Sequence, residues 1–216
     1  MSHGSLNPLQ IRVLKILAGI GYQWRLTGGG ALIIAYTHHR ETEDLDLFFK
    51  SNQLSHIPRE VQTILENSKL EVTVLQSALA FARLEIRDGL EQVILDLVAD
   101  PVPMIEEPVL WNCEGTQIFL DTEHEIMVNK LCTLLSRSEV RDLIDVEALL
   151  SKGQDLKLAI QHAAQKDGGF SALTLAWVLE GFPLKRLATA LEMPAEEIER
   201  LDKFKLELIK QLTEES

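Results

Sequence analysis

Apolar residues first recur at helical spacing near the start of the chain. Leu9, Val13, Leu14, Ile16, Leu17 and Ile20 predict an amphipathic helix over residues 8–19, with Asn7 as cap and Pro8 at the first helical position. Residues 22–26 read as a short strand running into three glycines. A breaker-free apolar run, residues 31–36, then predicts a short buried helix, and after a loop residues 44–49 read as a strand. Val61, Ile64 and Leu65 mark a second amphipathic helix over residues 57–67. Three strand-like runs follow at residues 70–75, 81–87 and 93–98, with Asp88-Gly89 as the turn between the last two. Pro101, Pro103 and Pro108 punctuate a loop, and residues 116–120 form one further edge strand. From Thr122 the pattern is helical. Thr122 to Glu125 resembles a capping box, Ile126, Leu131, Leu134 and Leu135 form an apolar stripe, and helices over residues 140–150, 155–166, 171–180 and 195–211 are separated by glycines and prolines.

This alternation predicts an α+β protein: a mixed sheet with flanking helices over residues 6–121, then a helical segment over residues 122–216 that closes one side of a cleft. Met1 to Ser5 reads as a flexible tail. The last predicted helix, with Leu201, Phe204, Leu206, Leu208 and Ile209, is suited to cap the core or to pair with another subunit.

Charge and composition narrow the function. With 216 residues and 46% hydrophobic content the chain can bury a sizeable core. It carries 21 Lys and Arg against 33 Asp and Glu, a formal charge of -12, which argues against a protein that coats duplex nucleic acid. Cys113 and Cys132 lack the spacing of a zinc or redox motif, so a reduced, cytoplasmic protein is expected. No apolar run approaches the roughly 20 residues that cross a bilayer, and no signal-peptide pattern opens the chain.

The candidate chemistry lies between Leu26 and Phe49, with one outlier further on. Asp44 and Asp46 stand two apart on a predicted strand, so both carboxylates project from one face while Leu45 and Leu47 pack the other. Two like charges that close resist burial unless a cation compensates them. Asp96 interrupts an otherwise apolar strand and needs a partner, most simply the same cation site reached from a neighbouring strand. Gly28, Gly29 and Gly30 form a turn whose backbone N–H groups suit phosphate. Glycine turn, short helix, Asp-x-Asp strand and later strand Asp together point to metal-dependent nucleotidyl or phosphoryl transfer. His38 and His39 read as loop-surface residues, Trp24, Trp111 and Trp177 as core or interface, and His124 and His162 as ordinary helix residues.

The segments Leu26-Thr-Gly-Gly-Gly-Ala-Leu32 and Arg40-Glu-Thr-Glu-Asp-Leu-Asp46, with Asp96, resemble the motifs of the polymerase-β-like nucleotidyltransferase superfamily. Residues 129–137 (Asn-Lys-Leu-Cys-Thr-Leu-Leu-Ser-Arg) and Arg141-Asp-Leu-Ile-Asp145 are similar to the helical signature of its AbiEii-type members, which include toxins of toxin–antitoxin systems. The resemblance implies Mg²⁺ held by Asp44, Asp46 and Asp96, the same three being the catalytic residues. It implies a triphosphate cradled by Gly28 and Gly29, and Gly30, Arg40, Thr42, Lys130 and Asp145 as further nucleotide-binding residues. Where the pattern has Ser or Thr after two glycines the chain has Gly30, leaving Thr27 or Thr42 as the available hydroxyl. By this resemblance NMP passes from an NTP to an acceptor hydroxyl on RNA, tRNA or protein, with an antitoxin protein as a further partner. The alternatives are a small, antibiotic-type acceptor and a non-catalytic nucleotide-binding or interaction module.

Overall fold

The computed structural model describes residues 6–137 and 139–214, so the stretch from Met1 to Ser5 lies outside the described residues. The chain divides into two compact units, residues 1–122 and 123–216.

The first unit is built on a seven-stranded mixed sheet. Its strands are β1 (Trp24–Thr27), β2 (Asp44–Phe49), β3 (Glu71–Ser77), β4 (Phe81–Asp88), β5 (Glu91–Ala99), β6 (Val109–Cys113) and β7 (Thr116–Leu120), in the order β3-β4-β5-β2-β1-β7-β6. β2 runs parallel to β5 and β1 parallel to β7, while the other pairs are antiparallel. The predicted edge strand, β7, is interior, and β6 forms the edge. The proline-rich stretch before β6 hid it. The hairpin between them turns on Glu114 and Gly115, both at positive φ, as a tight two-residue connection requires. Similarly, β4 and β5 are joined through Gly89 and Leu90, one residue beyond the predicted turn.

Helix α1 (Pro8–Leu17) starts as the sequence predicts. Asn7 and Gln10 form a reciprocal cap, and Leu9, Val13, Leu14 and Leu17 are buried. It ends two residues before Gly19. The glycines do not precede the next helix but are part of it. α2 (Gly28–Ala31) continues into one wide π-type turn, Leu32–Tyr36. α3 (Ile57–Asn67) buries Ile57, Val61 and Leu65. Along β2, Leu45, Leu47 and Phe49 are buried while Asp44, Asp46 and Phe48 stand on the other, half-open face.

The second unit contains α4 (Glu123–Ser136), α5 (Val140–Ser151), α6 (Leu156–Lys166), α7 (Ala172–Gly181), α8 (Leu184–Ala190) and α9 (Ala195–Glu214). Asp155 and Ser171 cap α6 and α7 through side-chain oxygens. α8 was not anticipated. Its seven residues follow Pro183 too closely for a periodic signal. α9 buries Leu201, Leu208 and Leu212 within this unit, while Leu206 is exposed. Trp24 lies in the core, with its indole N–H donating to the Leu17 carbonyl, whereas Trp177 is 73% exposed on α7. His124 on α4 and His162 on α6 meet edge to face, with Nε2 and Nδ1 2.7 Å apart. No described helix is long and apolar enough to cross a membrane.

Candidate active site

Parallel pairing of β2 with β5 brings the carboxylates together. Asp46 is opposite Asp96, and Asp44 is opposite Ile94, so all three acids share one face across strands about 4.8 Å apart. Antiparallel pairing adds a neighbour on each side: Thr27 of β1 beside Asp46, and Arg83 of β4 beside Asp96. One row of the sheet therefore reads Arg83, Asp96, Asp46, Thr27.

Arg83 was not singled out in the sequence, yet it decides the electrostatics of this row. Its Nε donates to Asp96 Oδ1 at 2.8 Å and its terminal nitrogen to Oδ2 at 2.6 Å, a two-pronged contact on both carboxylate oxygens. The bond to Asp96 raises the Arg83 pKa against a smaller lowering by burial, and the charges of Asp96, Asp44 and Asp46 add to the rise. Asp96 is 6% exposed. The Arg83 side chain is 44% exposed.

The glycine turn lies against the same row. Gly28 has φ +60°, and a Cβ there would come within 2.6 Å of Asp46 Oδ2, so backbone and carboxylate approach as only glycine permits. A Cβ on Gly29 would meet the Arg40 guanidinium at 2.6 Å and Thr42 Oγ1 at 3.4 Å. Arg40 and Thr42 thus reach the turn from the loop before β2, and Thr42 also donates to the Asp44 carbonyl at 3.3 Å. Gly30 faces elsewhere. A side chain there would press on Leu26 at 3.2 Å and Leu45 at 3.5 Å, on the apolar side of the sheet. Glycine at position 30 is explained by close packing of α2 over β1 and β2.

One row further along, Arg25 of β1 stands opposite Phe48, with its guanidinium 5.4 Å from that ring. Arg25 is almost fully buried and pairs with Asp100 at 2.5 Å and with Asp121 at 2.7 Å. Tyr36, at the end of the π-type turn, donates to the Asp121 carbonyl at 3.0 Å. This buried ion network anchors the strand that leads into the glycines. The signal that could have found it is Arg25 in a strand otherwise expected to be apolar.

The helical unit collects Lys130 and Asp145 in a separate cluster. Lys130 Nζ lies 2.6 Å from Asp142 and 2.7 Å from Asp145, and all three are buried. Arg137 reaches the other Asp142 oxygen at 3.0 Å. Burial alone would lower the Lys130 pKa, but Asp145 and Asp142 outweigh it and raise it. Glu125, from the expected capping box, is fully buried and accepts from Lys166. His38 is exposed, and His39 contacts the Thr37 hydroxyl at 2.5 Å.

The donors at Asp44 and Asp46 are hard oxygens, the chemistry Mg²⁺ prefers. Mg²⁺ is commonly held through one or two carboxylates completed by substrate phosphates. Among the described residues no three His, Cys, Asp or Glu side chains are grouped to hold an ion by themselves.

A mixed sheet with a glycine turn beside a row of strand carboxylates defines a fold of the nucleotidyltransferase type. Solved structures with this fold include JHP933 from Helicobacter pylori (20% identity, 97% of this chain and 96% of that one, TM-score 0.51). Another is MenT4, a nucleotidyltransferase toxin from Mycobacterium tuberculosis (14% identity, 78% and 62%, TM-score 0.57). An antigenic nucleotidyltransferase-like protein from Paracoccidioides brasiliensis also matches (16% identity, 73% and 88%, TM-score 0.50). No curated protein matches the sequence. Residues 12–214 match the family described as nucleotidyl transferase AbiEii toxin, type IV toxin–antitoxin system, and the chain belongs to that family of nucleotidyltransferases.

Proposed function

We propose that this protein transfers NMP from an NTP to an acceptor hydroxyl with release of pyrophosphate, using Mg²⁺ at the Asp44, Asp46 and Asp96 row. The observation that carries the reading is the Asp46–Asp96 register, with the Gly28 backbone against Asp46. Asp44 and Asp46 hold the cation, while Gly28, Gly29, Arg40 and Thr42 position the triphosphate beside it; Gly30 contributes backbone only. A bound divalent cation supplies charge neutralisation at the reacting phosphate and leaving pyrophosphate. The acceptor oxygen forms a bond to the α-phosphorus as the bond from that phosphorus to the β-phosphate oxygen breaks. The hydroxyl proton passes to Asp96, and the electron pair leaves with pyrophosphate. The family resemblance supports reading Lys130 and Asp145 as nucleotide-binding residues.

The acceptor is read as RNA, tRNA or protein, with the protein acting as the toxin of a cytoplasmic toxin–antitoxin pair. A small-molecule acceptor is the second reading. It is favoured by the charge of the first unit, which has 9 Lys and Arg against 16 Asp and Glu over residues 1–122. Labelled NTPs offered with total tRNA, cell protein and aminoglycoside-type small molecules test the assignment. NTP- and Mg²⁺-dependent labelling of one class, lost in Asp46→Asn, is expected. Equal labelling by wild type and Asp46→Asn would remove it.

A further inference from the structure

The third carboxylate of the row already has a cation. Arg83 covers both oxygens of Asp96 at 2.8 and 2.6 Å, and Asp44 and Asp46 also act on its charge. The two partners differ in freedom. Asp96 is nearly buried on a central strand, whereas 44% of the Arg83 side chain is open to solvent on the neighbouring strand, its guanidinium 5.8 Å from the Phe81 ring. A long side chain with an exposed head can swing away without opening the core, while the carboxylate cannot. A divalent ion that uses Asp96 must therefore share or displace an arginine that holds both of its oxygens.

We propose that Arg83 is a positioning residue that occupies Asp96 in the resting protein, so that divalent-metal binding at this carboxylate competes with the guanidinium. The inference rests on the assignment of the metal to Asp44, Asp46 and Asp96. While Arg83 is docked, Asp44 and Asp46 remain the metal ligands and Asp96 stays ionised and fixed in direction. When Arg83 swings out, Asp96 joins them. The device makes full assembly of the site depend on moving one partly exposed side chain.

The test is Mn²⁺ binding to the full chain without nucleotide, followed by calorimetry and by the electron paramagnetic resonance of free Mn²⁺. Circular dichroism checks that each variant is folded. Arg83→Gln removes the competing charge and is expected to tighten Mn²⁺ by about five- to tenfold, the range of one charge-assisted contact. Arg83→Lys keeps a cation at the position and should stay within about twofold of wild type, an outcome that loss of a merely structural contact would not produce. Adding Asp96→Asn to Arg83→Gln should cancel the gain. If Arg83→Gln binds no tighter than wild type while Asp46→Asn abolishes binding, the competition is overturned and the metal assignment stands. If neither wild type nor Arg83→Gln binds Mn²⁺, both are overturned.

Discussion

Two clusters in this protein pair basic side chains with aspartates, and they do so in opposite ways. In the sheet unit, Asp44 and Asp46 stand half-open on the strand face, and Arg83, on whose charge they act, is 44% exposed. In the helical unit, Lys130 is enclosed with Asp142 and Asp145, which are 1% and 0% exposed. The first arrangement has a basic partner that is partly open to solvent, and the second has one that is enclosed. A buried pair loses stability heavily when one member is removed, because the other is left charged in a poor solvent. In a half-open row, neutralising one member strands no charge in the interior. The difference separates a half-open row of carboxylates from an enclosed ion cluster.

Each prediction challenges that division. The largest effect is expected from Asp46→Asn. Transfer should fall roughly a thousandfold or more, about 4 kcal/mol of transition-state stabilisation, while the melting temperature stays level or rises slightly. A marked loss of stability would mean that the row is structural after all. Lys130→Met should destabilise the protein by about 3–5 kcal/mol in denaturant unfolding, since it strands Asp142 and Asp145 in the interior. A neutral result would place this cluster on the half-open side of the comparison.

Gly28→Ala combines a left-handed backbone with a side chain 2.6 Å from Asp46 Oδ2, so it should cost about 1–2 kcal/mol and lower transfer as well. Gly30→Ala presses on Leu26 and Leu45 and touches the Asp44 carbonyl at an ordinary 3.7 Å, so it should cost about 1 kcal/mol or less, with transfer unchanged per folded molecule. Equal effects on activity from the two glycines would contradict the opposite directions they face.

The smallest effects are those of pH. The folded Lys130 pKa is raised above its unfolded value. Its contribution is therefore complete below the ordinary lysine range, about 10.5, and is lost only as pH rises through the higher folded value. Burial, the leading cause, pushes the Cys132 thiol up to about 11, aided by Asp167 and Glu125 and opposed by Lys166. Thiol alkylation of the native protein should therefore be slow near pH 8 and accelerate only as pH approaches that value. Stability should be flat from pH 7 to pH 9 with respect to Lys130, and should begin to fall above about pH 8.5 with respect to Cys132, because the unfolded thiol ionises before the buried one.

Much of this architecture is legible along the chain because its signals are local. Alternation of Asp44, Leu45, Asp46 and Leu47 is a two-residue pattern, and it predicts both the strand and the shared face of its acids. The Asn7–Gln10 cap and the buried stripe of α1 are equally local. What escaped reading was either too short or too distant. α8 has seven residues and β6 five, and each follows a proline that reads as loop. Arg83 lies 13 residues from Asp96, and only the antiparallel register of β4 and β5 makes them neighbours. Asp121 and Arg25 are further apart still, with no periodicity to connect them.

Gly30 shows the same division at one position. As a residue in a motif it is a missing hydroxyl beside a phosphate turn. As a residue in the fold it is the point where α2 rests on Leu26 and Leu45. By itself the amino-acid order determined most of the elements and the family, and it pointed to side chains whose chemistry suits a cation and a triphosphate. Tertiary structure alone decided which cation meets which carboxylate and whether the pair is open or enclosed. Those are properties of strand register and burial, and both arise from contacts between residues far apart in the chain.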